Sequence, residues 1–281
     1  MSRAPYHIVE HLSPQLADSL LATCRLSLFV QPSRVYAVLT DQQRQMVACW
    51  EYYNEQQLSR EMFLRFVLEK EIFLRQPFAE RFIYTSASQF ALIPKPFFAE
   101  EQLIGLGRVL LDDALLEEEI QLSEIGQPES NIMYMVSPGL RHLFEHYFAD
   151  FELKHICEPA LFAAARLSQD HSDFLLVHSM EEQVLVVVVR EHQVQLCNAY
   201  PIHSLPDMVY FVQLTKSVTQ INDPGIPVFV WGEIDAKTAE PTDIWELLPD
   251  MEVPPLLEDA VQPHTKAVPY WKYAFLTQSP A

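Results

Sequence analysis

The sequence predicts an α/β protein of two lobes, each a mixed β-sheet covered by helices. The order strand, strand, strand, helix, strand begins at Leu26 and again at Phe174. Such a unit places an antiparallel meander beside a parallel strand that is reached through a helix. The chain has 281 residues and is 49% hydrophobic, which is enough to bury one large core or two smaller ones.

The first unit contains three runs rich in β-branched and aromatic residues, Leu26 to Val30, Val35 to Leu39 and Met46 to Tyr53. Apolar residues at helical spacing from Leu58 to Phe73 predict the helix. Arg81 to Thr85 is the strand that follows the helix, and Phe90 to Ile93 is a further strand candidate.

The second unit repeats this order. Its strands are Phe174 to His178, Val184 to Arg190 and Gln193 to Tyr200. Ser204 opens a helix that reaches about Thr219, and Val228 to Trp231 closes the set. Repeated order without repeated letters indicates two related lobes.

Bridging elements lie between the units. They are a strand at Asn131 to Val136, a helix begun by Ser137 and Pro138, a strand at Leu153 to Ile156 and an alanine-rich helix from about Pro159 to Leu167. We therefore divide the chain into a lead-in at residues 1–24, a first lobe with inserted and bridging elements at 25–168, and a second lobe at 169–281. The proline-rich C-terminal part should wrap the second lobe, and the alternation of Trp271, Tyr273 and Phe275 predicts a half-buried strand there.

Charge argues against two classes of ligand. Lys and Arg number 19 against 38 Asp and Glu, a formal charge of −19 that repels phosphate backbones and anionic membranes. One acidic concentration is formed by Asp112, Asp113, Glu117, Glu118 and Glu119. We interpret it as a solvated surface, with the attraction of a basic partner as the alternative.

The cysteines and the apolar runs predict the compartment. Cys24, Cys49, Cys157 and Cys197 form no Cys-x-x-Cys pair and are typical of buried thiols in a reducing environment. The N-terminal residues contain no apolar run of the kind found in a secretory signal, and Val184 to Val189 is too short for a membrane span. We expect a soluble, cytoplasmic protein.

Four segments carry a resemblance to a known family: Leu26 to Leu39, Ala91-Leu-Ile-Pro-Lys-Pro-Phe-Phe98, the valine-rich hairpin that ends at Tyr200, and Trp231-Gly-Glu-Ile234. They resemble a bacterial family of unknown function with the actin-like ATPase fold, in which two ribonuclease-H-like lobes enclose a nucleotide cleft. The resemblance covers roughly Leu26 to Leu276. Because these segments are packing patterns, the resemblance implies a fold and does not imply an activity.

Active members of that superfamily hold phosphates in two hairpin turns built on an aspartate and glycines. Glycine lets backbone N–H groups approach phosphate oxygens, and the carboxylate holds magnesium. Here the first turn reads Val30-Gln-Pro-Ser-Arg34, with no acid and no glycine, and the second reads Val177-His-Ser-Met-Glu-Glu-Gln183, again without glycine. The chain contains only 6 glycines, so we predict no ATP hydrolysis, no resident cofactor and no enzymatic activity. The strands Leu26 to Val30 and Ile83 to Ser86 also lack the carboxylates of a two-metal nuclease.

The pattern His-x-x-Glu-His occurs at His7 to His11 and at His142 to His146. On a helix, two such histidines can share a zinc ion. The second copy lies off the apolar stripe of its helix and should face solvent, so two ligands alone are a weak zinc signal.

Three functional hypotheses remain. The first is a non-catalytic interaction protein that binds another protein through its surface or through the groove between the lobes. The second is a module that binds a nucleotide or metabolite without hydrolysis, with Ser33, Ser179 and Gly232 as the contacts. The third is a zinc-dependent hydrolase using His142, Glu145 and His146.

Overall fold

Two mixed β-sheets form the framework of the computed structural model, which describes residues 6–12, 18–87, 89–111, 119–126, 128–221, 223, 225–233, 248, 251–252, 254–255 and 270–278. The first sheet has the strand order β1-β4-β3-β2-β5-β9. Its strands are β1 (Tyr6–Leu12), β2 (Arg25–Val30), β3 (Arg34–Thr40), β4 (Met46–Asn54), β5 (Glu80–Thr85) and β9 (Glu152–His155). Strands β1 to β4 pair antiparallel, whereas β5 and β9 run parallel to β2.

The second sheet repeats this arrangement with the order β12-β11-β10-β13-β14. Its strands are β10 (Phe174–Ser179), β11 (Gln183–Arg190), β12 (Gln193–Pro201), β13 (Val228–Gly232) and β14 (Met251–Glu252). A meander again stands beside parallel strands. The predicted α/β architecture of two related mixed sheets is therefore confirmed.

A third, smaller sheet is formed by an insertion in the first lobe that follows β5 in the chain and ends before Ser137. It contains β6 (Phe90–Pro94), β7 (Ile120–Ile125) and β8 (Ser130–Met135) in the order β6-β8-β7. Helix α2 (Leu103–Leu110) belongs to the same insertion, which packs around its own core of Ile93, Leu111, Ile120 and Met133. The sequence predicted β6 and β8 but neither β7 nor α2.

Four longer helices cover the two large sheets. They are α1 (Arg60–Lys70), α3 (Pro138–Tyr147), α4 (Cys157–Leu167) and α5 (Leu205–Val218). The predicted caps are present, because Ser137 Oγ accepts from the N–H of Leu140 at 3.3 Å and Ser204 Oγ accepts from the N–H of Asp207 at 3.4 Å. None of the described helices has the length and apolar character that crossing a membrane requires.

One hydrophobic core runs through both lobes. It joins residues of the first sheet to α4, to Phe174 and Trp231 of the second sheet, and to Phe275 of the C-terminal segment. Helix α4 packs against the second sheet, and its small side chains Ala160 and Ala164 are buried. A separate core lies between the second sheet and α5. The lobes therefore share packed side chains instead of meeting only at a solvated surface.

The two ends of the described chain differ from the sequence prediction. Within the expected lead-in at residues 1–24, residues 6–12 form β1, because Tyr6 is buried and packs edge-to-face on Tyr52 at 5.7 Å. The prediction of a C-terminal strand was wrong, since Tyr270–Lys272 and Ala274–Thr277 are 3₁₀ turns. Residues 273–276 also contact the first lobe and do not wrap the second lobe alone, because Tyr273 and Phe275 pack on Tyr36 and Phe29.

Candidate functional site

The turn between β2 and β3 and the turn between β10 and β11 are bonded directly to each other across the two lobes. The backbone N–H of Ser33 donates to Glu181 Oε2 at 3.0 Å, and Ser33 Oγ hydrogen-bonds Glu181 Oε1. In return, the backbone N–H of Glu181 donates to Gln31 Oε1 at 2.9 Å. The two turns that the resemblance assigns to phosphate binding are therefore hydrogen-bonded to each other.

Glu233 is the centre of the contact between the lobes. It follows β13, and its carboxylate accepts from Tyr36 Oη at 2.5 Å, from Gln31 Nε2 at 2.6 Å and from Arg34 at 2.7 Å. The side chain of Glu233 is 9% exposed. Three donors of the first lobe thus converge on one carboxylate of the second lobe, and hydrogen bonds to a charged acceptor are among the strong ones.

A second carboxylate lies deeper in the same network. Glu51 of β4 is 1% exposed and lies 3.6 Å from Arg34 and 3.7 Å from Lys272 Nζ. The hydroxyl of Tyr273 donates to Glu51 at 2.9 Å. Arg34 lies between Glu51 and Glu233. These charged side chains therefore join the C-terminal segment to both lobes.

We call this set the interlobe site. It comprises Gln31, Ser33, Arg34, Tyr36, Glu51, Ser179, Glu181, Glu233, Lys272 and Tyr273. The site contains three carboxylates and two basic side chains. Its charge therefore does not favour binding of a polyphosphate.

The protonation states in the interlobe site follow from burial and from the carboxylates. Burial raises the pKa of Tyr36 well above its ordinary value, and Glu233 and Glu51 raise it further. Burial lowers the pKa of Arg34, but Glu233, Tyr36 and Glu51 together outweigh this effect and keep the pKa above its ordinary value. Burial also raises the pKa of Glu181, against the opposing hydrogen bond from Ser33. Tyr36 therefore stays a donor and Arg34 stays charged.

The structure brings the sequence-predicted contacts Ser33, Ser179 and Gly232 together in this region. Ser179 Oγ donates to the carbonyl oxygen of Glu233 at 2.6 Å, and the N–H of Glu233 donates to the carbonyl oxygen of Ser179 at 2.8 Å. Gly232 has φ +86°, and a Cβ there would lie 2.2 Å from the carbonyl oxygen of Ser179. The hydroxyl groups of both serines already have protein partners, and their role in ligand contact stays a prediction.

No sequence pattern predicted the site residues Gln31, Arg34, Tyr36, Glu51, Glu181 and Glu233. One signal was available: Glu51 interrupts an apolar strand, and a charge in a buried strand requires a partner. Which partner it takes depends on residues far away in sequence, such as Tyr273, and strand patterns do not encode that distance.

Two histidines of the described chain are buried in the main core, and neither belongs to the interlobe site. His178 packs on Phe275 at 4.2 Å between ring centroids, and burial lowers its pKa to about 3. Burial also lowers the pKa of His155 to about 4, against the hydrogen bond to the carbonyl oxygen of Ala87. Both side chains are neutral at physiological pH, as the interior of a core requires.

The zinc hypothesis finds no cluster to support it. His142 is 78% exposed, and among the described residues its side chain hydrogen-bonds Glu145 alone, at 3.3 Å. Over the residues whose positions are described, no group of three or more His, Cys, Asp and Glu side chains could hold a metal ion. The first copy, His7 to His11, lies in a strand, so the helical spacing argument does not apply to it.

Of the acidic concentration, only Glu119 is described; Asp112, Asp113, Glu117 and Glu118 lie outside the described residues.

The class of protein follows from the repeated sheets and the junction between them. The structure is similar to a protein with actin-like ATPase fold and unknown function from Bacteroides thetaiotaomicron VPI-5482, at 13% identity and a TM-score of 0.72, over 93% of this chain and 99% of that chain. It is also similar to a structure of the PilM–PilN type IV pilus biogenesis complex, at 13% identity and a TM-score of 0.56, over 90% of this chain and 97% of that chain. At these identities the similarity shows the fold, which is the actin-like ATPase fold.

The family follows from the sequence itself. The model of a family described as "Protein of unknown function (DUF3822)" matches residues 16–244, and the chain belongs to this family. No curated protein matches the sequence.

Proposed function

We propose that this chain is a non-catalytic interaction protein, an actin-like scaffold that binds another protein and does not hydrolyse a nucleotide. The observation that carries this proposal is the direct bonding of the two hairpin turns through Ser33, Gln31 and Glu181. In a nucleotide-dependent member of the fold, these turns would have to leave space and free N–H donors for phosphates.

The chemistry of the interlobe site supports the proposal in two ways. First, the N–H groups of Ser33 and Glu181 are already used by protein acceptors. Second, Glu181 and Glu233 place negative charge between the turns, and a phosphate there would meet like charges at close range. Admitting a triphosphate would require breaking several hydrogen bonds and then stabilising an unfavourable cluster of anions.

A protein partner is in keeping with the use of this fold elsewhere. The PilM–PilN structure is, by its name, a complex of two proteins. It shares the fold of this chain at low identity, so it supports the class of function and does not identify a partner.

The outer side of α5 offers a surface on which a partner can be tested. Tyr210, Leu214 and Val218 follow at four-residue spacing and are 60%, 38% and 71% exposed. Apolar side chains at this spacing form one stripe along a helix, and exposed apolar patches often mark interaction sites.

The first test is ligand binding to the full chain. A thermal-shift and calorimetry panel with ATP, ADP and GTP, each with and without magnesium, should leave the melting temperature unchanged and show no heat of binding, because only a ligand of the native state raises stability. An actin-like ATPase run in parallel gives the positive control. Release of phosphate above the buffer rate would refute the non-catalytic proposal, and saturable nucleotide binding without phosphate release would favour the nucleotide-binding module instead.

The second test is partner capture from native extract with the full chain as bait. We expect a stoichiometric partner that is retained by wild-type protein and by Gln213→Glu, and reduced by Leu214→Glu with Val218→Glu. Gln213 is an exposed neighbour on the same helix, so it controls for the added charge. Absence of any stoichiometric partner, together with turnover of a metabolite by the pure protein, would overturn the proposal.

A further inference from the structure

Strand β12 forms one edge of the second sheet. It pairs antiparallel with β11 on one side, and no strand among the described residues lies on its other side. Within the described part of the chain, its backbone forms no hydrogen bond beyond the pairing with β11. An edge strand offers a row of N–H and C=O groups to any extended chain that lies beside it.

The sequence of β12 lacks the usual protection of a sheet edge. Its 9 residues contain no Asp, Glu, Lys or Arg, and its one proline stands at the last position. By contrast, the edge strands β1, β7, β9 and β14 each contain a glutamate, and β6 has only 5 residues and ends at Pro94. Charges and prolines keep edge strands from pairing with other chains. Of the edges that the structure describes, β12 therefore offers the longest uncharged stretch.

Both faces of β12 carry apolar side chains that are only half-buried. On one face, Val194, Cys197 and Ala199 pack on the main core, to which α4 belongs. On the other face, Leu196 and Tyr200 pack on the core beneath α5. A strand added beside β12 would remove more of this apolar surface from water, which favours its binding.

A cavity of about 350 Å³ lies where α4 meets the start of β12. Its walls include Val194 of β12, Ala164, Ala165 and the capping residue Ser168 of α4, and Pro128 of the insertion. These side chains are small or apolar, so the cavity suits an apolar group. Side chains of directly opposite residues in an antiparallel pair lie on the same face of the sheet. A residue opposite Val194 on an added strand would therefore point toward this cavity.

We propose that β12 binds an extended, basic segment of a partner protein as an added strand, with one bulky apolar side chain of that segment in the cavity beside Val194. In this mode of recognition, main-chain hydrogen bonds give affinity and pockets for side chains give specificity. The inference rests on the proposed interaction function, and it concerns a surface other than the stripe on α5.

The size of the cavity distinguishes a partner segment from a second copy of this chain. The apolar side chains that a second β12 would place on the α4 face are Val194, Cys197 and Ala199. All three are small for a cavity of about 350 Å³, whereas leucine, methionine or phenylalanine would fill more of it.

Charge favours a basic partner over a second copy. The formal charge of −19 makes two copies of the chain repel each other and attracts a cationic segment. Near the segments that line the cavity, Glu129, Asp170 and Glu191 are exposed acidic side chains, and Arg166 and Arg190 are exposed basic ones. Acidic side chains thus exceed basic ones here as they do in the whole chain.

The test begins with selection of 12-residue peptides from a displayed random library on the full chain, followed by fluorescence anisotropy with the enriched peptides. We expect a bulky apolar residue flanked by Lys or Arg. Ala165→Leu, which fills the cavity, should weaken binding by about tenfold or more, because a buried anchor carries much of the binding energy. Gln169→Leu, an exposed position that does not line the cavity, should bind as wild type does.

N-methylation of the bound peptide, one residue at a time, tests strand addition directly. Only alternate N–H groups of an added strand face β12, so methylation should weaken binding at every second position and spare the positions between. Hydrogen exchange at residues 193–201 of the full chain should slow when the peptide is bound. Loss of affinity without this alternation, or unchanged exchange at residues 193–201, would overturn the proposal.

Asn198→Lys places a positive charge at an exposed position of β12 and should also weaken binding of the basic peptide, which keeps the proposal testable if Ala165→Leu folds poorly. Absence of any enriched peptide, or equal affinity in wild type, Ala165→Leu and Asn198→Lys, would contradict it. A dimer detected by light scattering and lost in Asn198→Lys would assign β12 to self-pairing and refute the partner segment. These failures leave the proposed function standing, because that proposal fails instead on phosphate release or turnover of a metabolite.

Discussion

Replacing Glu233 by alanine should destabilise the protein strongly although the residue lies outside every strand and helix. The substitution removes the acceptor shared by Gln31, Arg34 and Tyr36. Gln31 and Tyr36 are each 1% exposed, so both would be left as buried donors, at about 1–3 kcal/mol each. Arg34 is 22% exposed and keeps Glu51 at 3.6 Å, so its contribution is smaller.

The expected loss is therefore about 3 kcal/mol, near the lower end of what breaking a buried ion pair costs. Urea unfolding followed by tryptophan fluorescence and circular dichroism should show it as a fall of roughly 1–2 M in the midpoint, given the usual dependence of stability on urea. Glu233→Gln keeps the shape and one acceptor oxygen, so it should lose about half as much.

Glu182→Ala is the matched control, because Glu182 is an exposed carboxylate in the turn that carries Glu181. It should change stability by less than about 0.5 kcal/mol. The double variant of Glu233→Ala with Arg34→Ala should show a coupling of about 1 kcal/mol or more, since the two side chains are in contact. If Glu233→Ala and Glu182→Ala unfold at the same midpoint, the hydrogen bonds of Glu233 do not stabilise the contact between the lobes.

Two further predictions concern the surroundings of the interlobe site. Gly232→Ala should lower the free energy of unfolding, measured in urea, by about 2 kcal/mol or more, because φ is +86° and the new Cβ would lie 2.2 Å from the carbonyl oxygen of Ser179. Gly105→Ala is the control and should be neutral or stabilising, because no atom lies within 4 Å of its new Cβ. Equal effects of the two substitutions would contradict this prediction. His178 has its pKa lowered from 6.5 to about 3 by burial, so the unfolded chain takes up a proton as pH falls below 6.5 while the folded chain does not. The contribution of this histidine to stability is thus complete above pH 6.5 and is lost as pH falls toward 3, by about 2 kcal/mol between pH 7 and pH 5. His178→Phe should remove that part of the pH dependence, and an unchanged slope of stability against pH would count against it.

The strands and helices of the repeated units were predictable because each is a local pattern. Predicted runs such as Val184 to Arg190 and Val228 to Trp231 differ from β11 and β13 by one residue at one end. Ser137 and Ser204 marked helix starts because a serine hydroxyl accepts from the first turn that follows it. These features need only the residues within one or two turns of themselves.

The elements that the sequence analysis missed obtain their stability from distant partners. Strand β7 has an irregular burial pattern and exists through its pairing with β8. The alternation of Trp271, Tyr273 and Phe275 suggested a strand, but packing on Tyr36 and Phe29 and the hydrogen bond to Glu51 favour 3₁₀ turns. Local propensity is a weak guide when such contacts are available.

The sequence by itself determined the order of strands and helices within the two repeated units, the two-lobed class, and the lack of glycine and aspartate in the turns that bind phosphate in related folds. Only the tertiary structure decided that Glu181 and Glu233 occupy the space between those turns and take up the donors of the first lobe. The physical reason is that hydrogen bonds between side chains act over a few ångströms in space, whereas Gln31 and Glu233 are 202 positions apart along the chain.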